Sequence, residues 1–414
     1  MSSARKDPVV IAGHAARFDC EGRLDSWISW REALAREMAF YQSCPSDRGY
    51  PRFAYVTFLD AEWKPHADRT DTIPATQSGM GIISYLKYAA FSPESTDFCL
   101  AAARGLGSYL LREANTPDEG RYPLFTRSTG KRDRFPLPPD CGSQGDRPFE
   151  IEPDKGGIAG YALSRLFDAT GERVYLDQAL QNARILRANQ VEGDAEHSPW
   201  PFRADWRTAE GRGPVSGNMT YILRLYDAML EKGHDEFAAA RASLWDWITR
   251  YQIPSADTDG ALFAQFFEDH ETPTNRTAWA PLNLARYLLE KRAPLDPEWR
   301  NHCNALVDFV RRTFTHREFG IVVCHEQDED KQAWGGVVST YGAVLATFAK
   351  AVGAVELVSE ARQALNFALY CVDDQGRPRD LFLNPAPGGW QEDAHTDVIH
   401  NIVDAIEAFP QWAE

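Results

Sequence analysis

Ser78-Gly79-Met80-Gly81, Lys155-Gly156-Gly157, Val215-Ser216-Gly217, Thr277-Ala278, Trp334-Gly335-Gly336 and Thr396-Asp397 open the alternate helical stretches of this chain. Successive anchors lie 76, 60, 61, 58 and 61 residues apart. A period of this size holds one helical hairpin and a long connection, and such a unit buries its apolar face only against its neighbours. Six of them imply a closed ring of helices with a cleft at one end.

Working outward from the anchors, apolar residues at helical spacing place the first helix at Leu24–Ser43. The paired stretches follow: Ala75–Ala90 with Ser95–Glu113, Lys155–Asp168 with Arg173–Gln190, and Ser216–Glu231 with Asp235–Tyr251. Next come Thr277–Lys291 with Pro297–Thr313 and Trp334–Val352 with Val355–Cys371, before a last helix, His395–Phe409, that closes the ring against the first. Ser92-Pro93, Gly171, Gly233, Pro294 and Gly353 break the hairpins, as residues that stop helices should. Ser95 or Thr96 is expected to cap its helix. Runs such as Pro51–Phe58, Tyr122–Arg127, Ser198–Arg203, Gly260–Glu268 and Gly320–Glu326 read as short strands in the long connections. Nothing along residues 1–414 marks a linker, so one nearly all-α domain is expected.

Composition agrees. Apolar residues make up 43% of the 414 and aromatics 12%, ample for a core. A formal charge of −16 argues against a nucleic-acid surface, which needs clustered Lys and Arg. The seven cysteines (Cys20, Cys44, Cys99, Cys141, Cys303, Cys324 and Cys371) are odd in number and never form a Cys-x-x-Cys pair, so they read as free thiols. With no apolar stretch after the basic residues near Met1, no signal peptide is visible and a cytoplasmic location is expected. No run approaches the roughly 20 apolar residues of a membrane span, so no membrane partner is expected.

The helices that open on small residues are the inner ones, because glycine lets backbones approach closely. Each receives the chain from a strand-like run. Their N-termini therefore share one end, where unpaired N–H groups and positive dipole ends suit anions or developing negative charge. Six hairpins with Trp- and Gly-rich inner openings resemble the six-hairpin (α/α)6 toroids, which include glycosidases, unsaturated glucuronyl hydrolases, polysaccharide lyases and sugar 2-epimerases. The resemblance covers the whole chain. It implies an all-α (α/α)6 toroid with short strand-like segments in the loops at one end, and carbohydrate chemistry there.

Asp154, in Phe149-Glu150-Ile151-Glu152-Pro153-Asp154-Lys155, and Asp397 sit on different repeats and could face one another across the cleft as the two carboxyls of a glycosidase. The competing reading is that both cap helices. His395 is a candidate acid or base. His395 and His400 are five apart, about 140° around a helix, so they do not form a zinc pair, and neither metal nor cofactor is expected. His400 and Asp404 share a face. Cys324 alternates with Val322 and reads as core, while His325 beside it is a substrate-contact candidate.

Trp200, Trp279 and Trp334 fall at the open end, where flat rings stack on sugars, and Asn218 joins them there. Arg127, Arg203 and Arg276 would fork onto a carboxylate, favouring uronic acids, unless each ties loops together through an acidic partner. The leading expectation is a glycoside hydrolase acting on short, uronic-acid-containing oligosaccharides. The alternatives are a lyase, with Tyr341 or a histidine removing the proton beside a carboxylate, a sugar epimerase or isomerase using His395 and His400, and a non-enzymic scaffold.

Overall fold

The computed structural model describes residues 9–56, 58–59, 71, 73–128, 149–264, 272, 274–378 and 390–414, with backbone alone at 58–59 and 390–396. Its helices are α1 (Trp30–Ser43), α2 (Pro74–Phe91), α3 (Thr96–Glu113), α4 (Pro153–Thr170), α5 (Arg173–Asn189), α6 (Thr220–Glu231) and α7 (Ala238–Trp247). A π-turn, Ile248–Gln252, links α7 to the one-turn α8 (Ile253–Ser255). Then follow α9 (Trp279–Lys291), α10 (Trp299–Thr313), α11 (Gly335–Val352), α12 (Val355–Leu369) and α13 (Glu392–Ala408).

The inner ring runs α2, α4, α6, α9, α11, α13 and back to α2, with α3, α5, α7, α10 and α12 packed outside their partners. The architecture is the (α/α)6 toroid that the repeat implies. Burial separates the two layers. In α11 every residue from Gly335 to Ala346 is buried. In α10 only Trp299, Cys303, Leu306, Val307, Phe309 and Val310 are, one stripe at helical spacing. α11 is also long and apolar enough to cross a membrane by composition, but its most apolar window is 78% buried inside the ring.

The ring closes through α1. Trp30 Nε1 donates to Asn366 Oδ1 on α12 at 2.7 Å, and the Trp30 ring meets Trp412, just beyond α13, edge-on at 5.5 Å. Leu24–Asp25 is a strand and not the start of α1, which begins after Ser29 accepts a hydrogen bond from the Glu32 N–H. Ser95 precedes α3 without a side-chain cap, unlike the sequence expectation. Gly171 and Gly353 end α4 and α11 in the left-handed region, at φ 71° and 79°.

These tight turns all lie at one end, and the long connections at the other. In those connections the strand-like runs become short pairings: Glu150–Ile151, Arg203–Asp205 and Gly211–Arg212 form a three-stranded sheet, and Thr315–Glu318 pairs with Ile321–Cys324. Of the run Gly260–Glu268, Ala261–Phe263 is a 3-10 turn, and residues 265–268 lie outside the described residues.

The opening glycines serve helix contact. A Cβ on Gly157 would stand 2.7 Å from Ile222 Cγ1 and 2.9 Å from the Ile222 backbone nitrogen, so α4 and α6 touch through this position. Gly157→Ala should therefore lower stability by about 1–3 kcal/mol, the usual range for overpacking. A urea melt with unchanged stability would show that α4 and α6 are not held this closely.

Candidate active site

Acidic residues alternate into α4, and each meets its own cation. Glu150 pairs with Arg212 across the small sheet, Oε1 to Nε at 2.6 Å. Glu152 and Arg203, both fully buried, pair at 3.3 Å, with the Arg203 guanidinium also 4.7 Å from the centroid of the Phe202 ring. Asp154, in the first turn of α4, lies 3.8 Å from Lys155 Nζ, and both are fully buried. A buried carboxylate is tolerated only where such partners offset its lost hydration. Glu152, and not Asp154, occupies the cap position of α4, without a side-chain cap hydrogen bond.

Asp397 is 8% exposed, early in α13, and its charge acts on the Tyr221 hydroxyl of α6. Burial raises that hydroxyl's pKa, and the Asp397 carboxylate raises it further. Asp397 therefore points toward the ring's interior. Tyr221 packs with Met80 of α2 and Ile158 of α4 in an apolar plug. Asn218, 1% exposed just before α6, has no hydrogen bond to its amide oxygen or nitrogen among the described residues. At the start of α9, Trp279 Nε1 donates to Glu326 Oε1 at 2.6 Å. Trp334, capping α11, donates to Asp330 at 3.1 Å.

His325 is 4% exposed, packed on Phe314 and His316, and neither ring nitrogen makes a hydrogen bond among the described residues. Burial pulls its pKa down to about 4, helped by His316 and Lys331. Cys324 is fully buried and its thiol is pushed well up by that burial, in keeping with a core residue. Among the described residues no three His, Cys, Asp or Glu side chains gather as a metal would require.

Asp154, Asn218, Trp279 and Asp397 thus sit at the openings of four inner helices. Two other expected site residues turn away. Trp200 is fully buried and donates to the Leu186 carbonyl of α5 at 3.1 Å, a packing role. Tyr341 is fully buried and bonds Glu360 on α12, so it faces the outer layer and not the cleft. The arginines are engaged as well. Arg276 forks onto Asp328 at 2.7 and 3.0 Å, Arg203 holds Glu152, and Arg127 reaches the Glu113 carbonyl at 3.3 Å. They hold loops together, which removes the main ground for a uronate. The His395 side chain lies outside the described residues. Sequence reasoning passed over Tyr221 and the plug, whose only signal was the three-residue step from Asn218 to Tyr221.

No family profile matches the chain, and neither does any curated protein. Solved structures do. A sugar epimerase from a ruminal bacterium superposes with a TM-score of 0.65 at 12% identity, over 90% of this chain and 98% of that one. A D-mannose isomerase gives 0.66 at 13%, over 91% and 96%. An unsaturated glucuronyl hydrolase specific for heparin gives 0.55 at 11%, over 91% and 95%. At such identities the likeness shows the fold: this chain has the six-hairpin (α/α)6 toroid.

Two tests follow from the buried charges. Arg203→Met takes a buried cation away from Glu152 and should cost about 3–5 kcal/mol, while adding Glu152→Met should restore part of it. Additive losses in denaturant melts would mean the two are not coupled. For His325, the folded pKa lies below the unfolded value, so the unfolded chain binds the extra proton and stability falls as pH drops from about 6.5 to about 4. His325→Gln should flatten that slope; an unchanged slope would place the titration elsewhere.

Proposed function

We propose that the chain is a carbohydrate-active enzyme that takes one end of a small sugar into the loop end of the ring and works by acid–base chemistry. The observation that carries this reading is Asn218. Its amide is almost wholly buried and makes no hydrogen bond among the described residues, at an opening that also holds Asp154 and Asp397. A buried amide left this way costs free energy, and a polyhydroxylated ligand offers both the donor and the acceptor it lacks. Trp279, locked by Glu326, supplies an apolar face beside it.

Of the reactions open to such a site, proton transfer at a sugar carbon next to a carbonyl has the better support. The opening residues are nine-tenths buried or more, which suits a compact sugar entering end-on. The arginines expected to hold a uronate have protein partners. A sugar epimerase and a D-mannose isomerase share the fold over nearly their whole length. In this chemistry a base removes the proton beside the carbonyl of the open-chain sugar, and polar groups stabilise the enediolate that forms. Asp397 and His395 on α13 would exchange the proton, with Asn218 and Lys155 stabilising developing charge.

Hydrolysis of short oligosaccharides is the second reading. It keeps Asp154 and Asp397 as the carboxyl pair, and the glucuronyl hydrolase on the same fold favours it.

Incubation in heavy water with mannose, glucose, cellobiose and an unsaturated uronyl disaccharide separates the two. Isomerisation or epimerisation incorporates deuterium at the carbon next to the carbonyl and releases no new reducing end. Cleavage without deuterium at that carbon would establish hydrolysis in its place. On the active substrate, Asp397→Asn should lower kcat by about 10²-fold or more with the fold intact by circular dichroism. Full activity in that variant would remove Asp397 from the mechanism.

A further inference from the structure

The ring has a cavity at the end where the hairpins turn tightly. It measures about 620 Å³ and is lined by side chains from all six inner helices. The apolar plug stands at its inner limit, since Tyr221 belongs both to the plug and to the cavity wall. The proposed reaction uses nothing in this cavity.

Its charges do not cancel. Five cations line it (Lys87, Arg224, Arg286, Arg292 and Lys350) against three carboxylates, Glu290, Asp404 and Glu407. Three of the cations are matched. Arg224 forks onto Glu290 at 2.6 and 2.9 Å. Lys87 meets Asp404 at 2.9 Å and Glu407 at 2.7 Å, and Arg286 lies 3.5 Å from Asp404. At the rim the matching ends. Arg292 donates from Nε to the Leu289 carbonyl at 3.0 Å, and Lys350 reaches the Glu407 carbonyl at 3.4 Å. Neither has a carboxylate partner among the described residues.

These two residues stand at the ends of α9 and α11, where backbone carbonyls attract cations. That attraction accounts for these carbonyl contacts, and the Arg292 guanidinium also lies 5.8 Å from the centroid of the Trp299 ring. Neither contact occupies the terminal N–H groups of the fork, nor the rest of the ammonium group, which remain for another acceptor. A chain with a formal charge of −16 thus carries a local excess of two positive charges at the mouth of an axial cavity. A phosphate monoester carries close to two negative charges near neutral pH, and its oxygens suit a fork and a point cation together.

We propose that this cavity is a second ligand site, for the phosphate monoester of a small molecule. The phosphate lies between Arg292 and Lys350, and the body of the molecule extends toward Tyr161 and Tyr221. Such a ligand would sit on the far side of the plug from Asp397, close to His400, which is three residues and about 4.5 Å of rise further along the same helix. The site is independent of which reaction the loop end performs, because its test reads binding and not turnover.

The test is calorimetric titration of the full chain near neutral pH with glycerol 3-phosphate, alongside glycerol, inorganic phosphate and malonate. Glycerol 3-phosphate should bind at one site per chain and glycerol should not bind. Arg292→Gln and Lys350→Gln should each weaken binding at least about tenfold, as expected for the loss of a charge-assisted contact. Both side chains are exposed, so the variants should melt like the parent. Binding of inorganic phosphate that is weakened by the same two variants supports the assignment. No binding at millimolar concentration, or binding unchanged in the double variant, overturns the site. Malonate binding as tightly as glycerol 3-phosphate overturns the assignment to phosphate.

Discussion

Everything in this toroid depends on how closely the six inner helices pack. An inner helix has neighbours on every side, so its residues must be small or apolar along most of its length, as α11 shows from Gly335 to Ala346. Gly157 against Ile222 shows the constraint at its tightest, with one backbone almost against the next. Polar groups inside the ring are met by a neighbouring helix, as Ser339 and Thr340 of α11 are by Asn401 of α13. Asp154, Asn218 and Asp397 lie at helix openings, where the inner helices receive the chain from the long connections.

The two ends differ in how their charge is handled. At the loop end, buried acids lie beside cations: Glu150 with Arg212, Glu152 with Arg203, Asp154 with Lys155. Pairs of this kind fix geometry at some expense of stability, because removing ions from water offsets most of their attraction. At the hairpin end, Lys87, Asp404, Arg286 and His400 form a shared network that ties α2, α9 and α13 together. Burial disfavours a charged Asp404, yet the cations around it hold its carboxyl well below the usual range. Between the ends, Met80, Ile158 and Tyr221 separate the two environments.

Much of the fold was legible because helical periodicity survives burial. The expected stretches Arg173–Gln190 and Val355–Cys371 appear as Arg173–Asn189 and Val355–Leu369. Misses came where tertiary contacts override local preference. Ser216 to Met219 reads as helix but lies outside α6, with the Gly217 N–H bonded to Ala264. Of the candidate residues, Asp154, Asn218, Trp279 and Asp397 lie at or beside the starts of inner helices. Tyr341 lies five residues past Gly336, about 140° around α11, and so faces α12. Trp200 lies in a connection, where no period says which way a ring points.

The sequence alone determined the number of hairpins, the division into inner and outer layers, and the end at which the long connections gather. Each of these follows from spacing, and spacing is local. Which carboxylate meets which cation, whether an arginine holds a loop or remains open to a ligand, and which side of a helix faces the axis were decided only by the tertiary structure. Arg276 shows why: its guanidinium would suit a substrate carboxylate as well as it suits Asp328, 52 residues away. Only packing of one hairpin against the next brings that aspartate within reach.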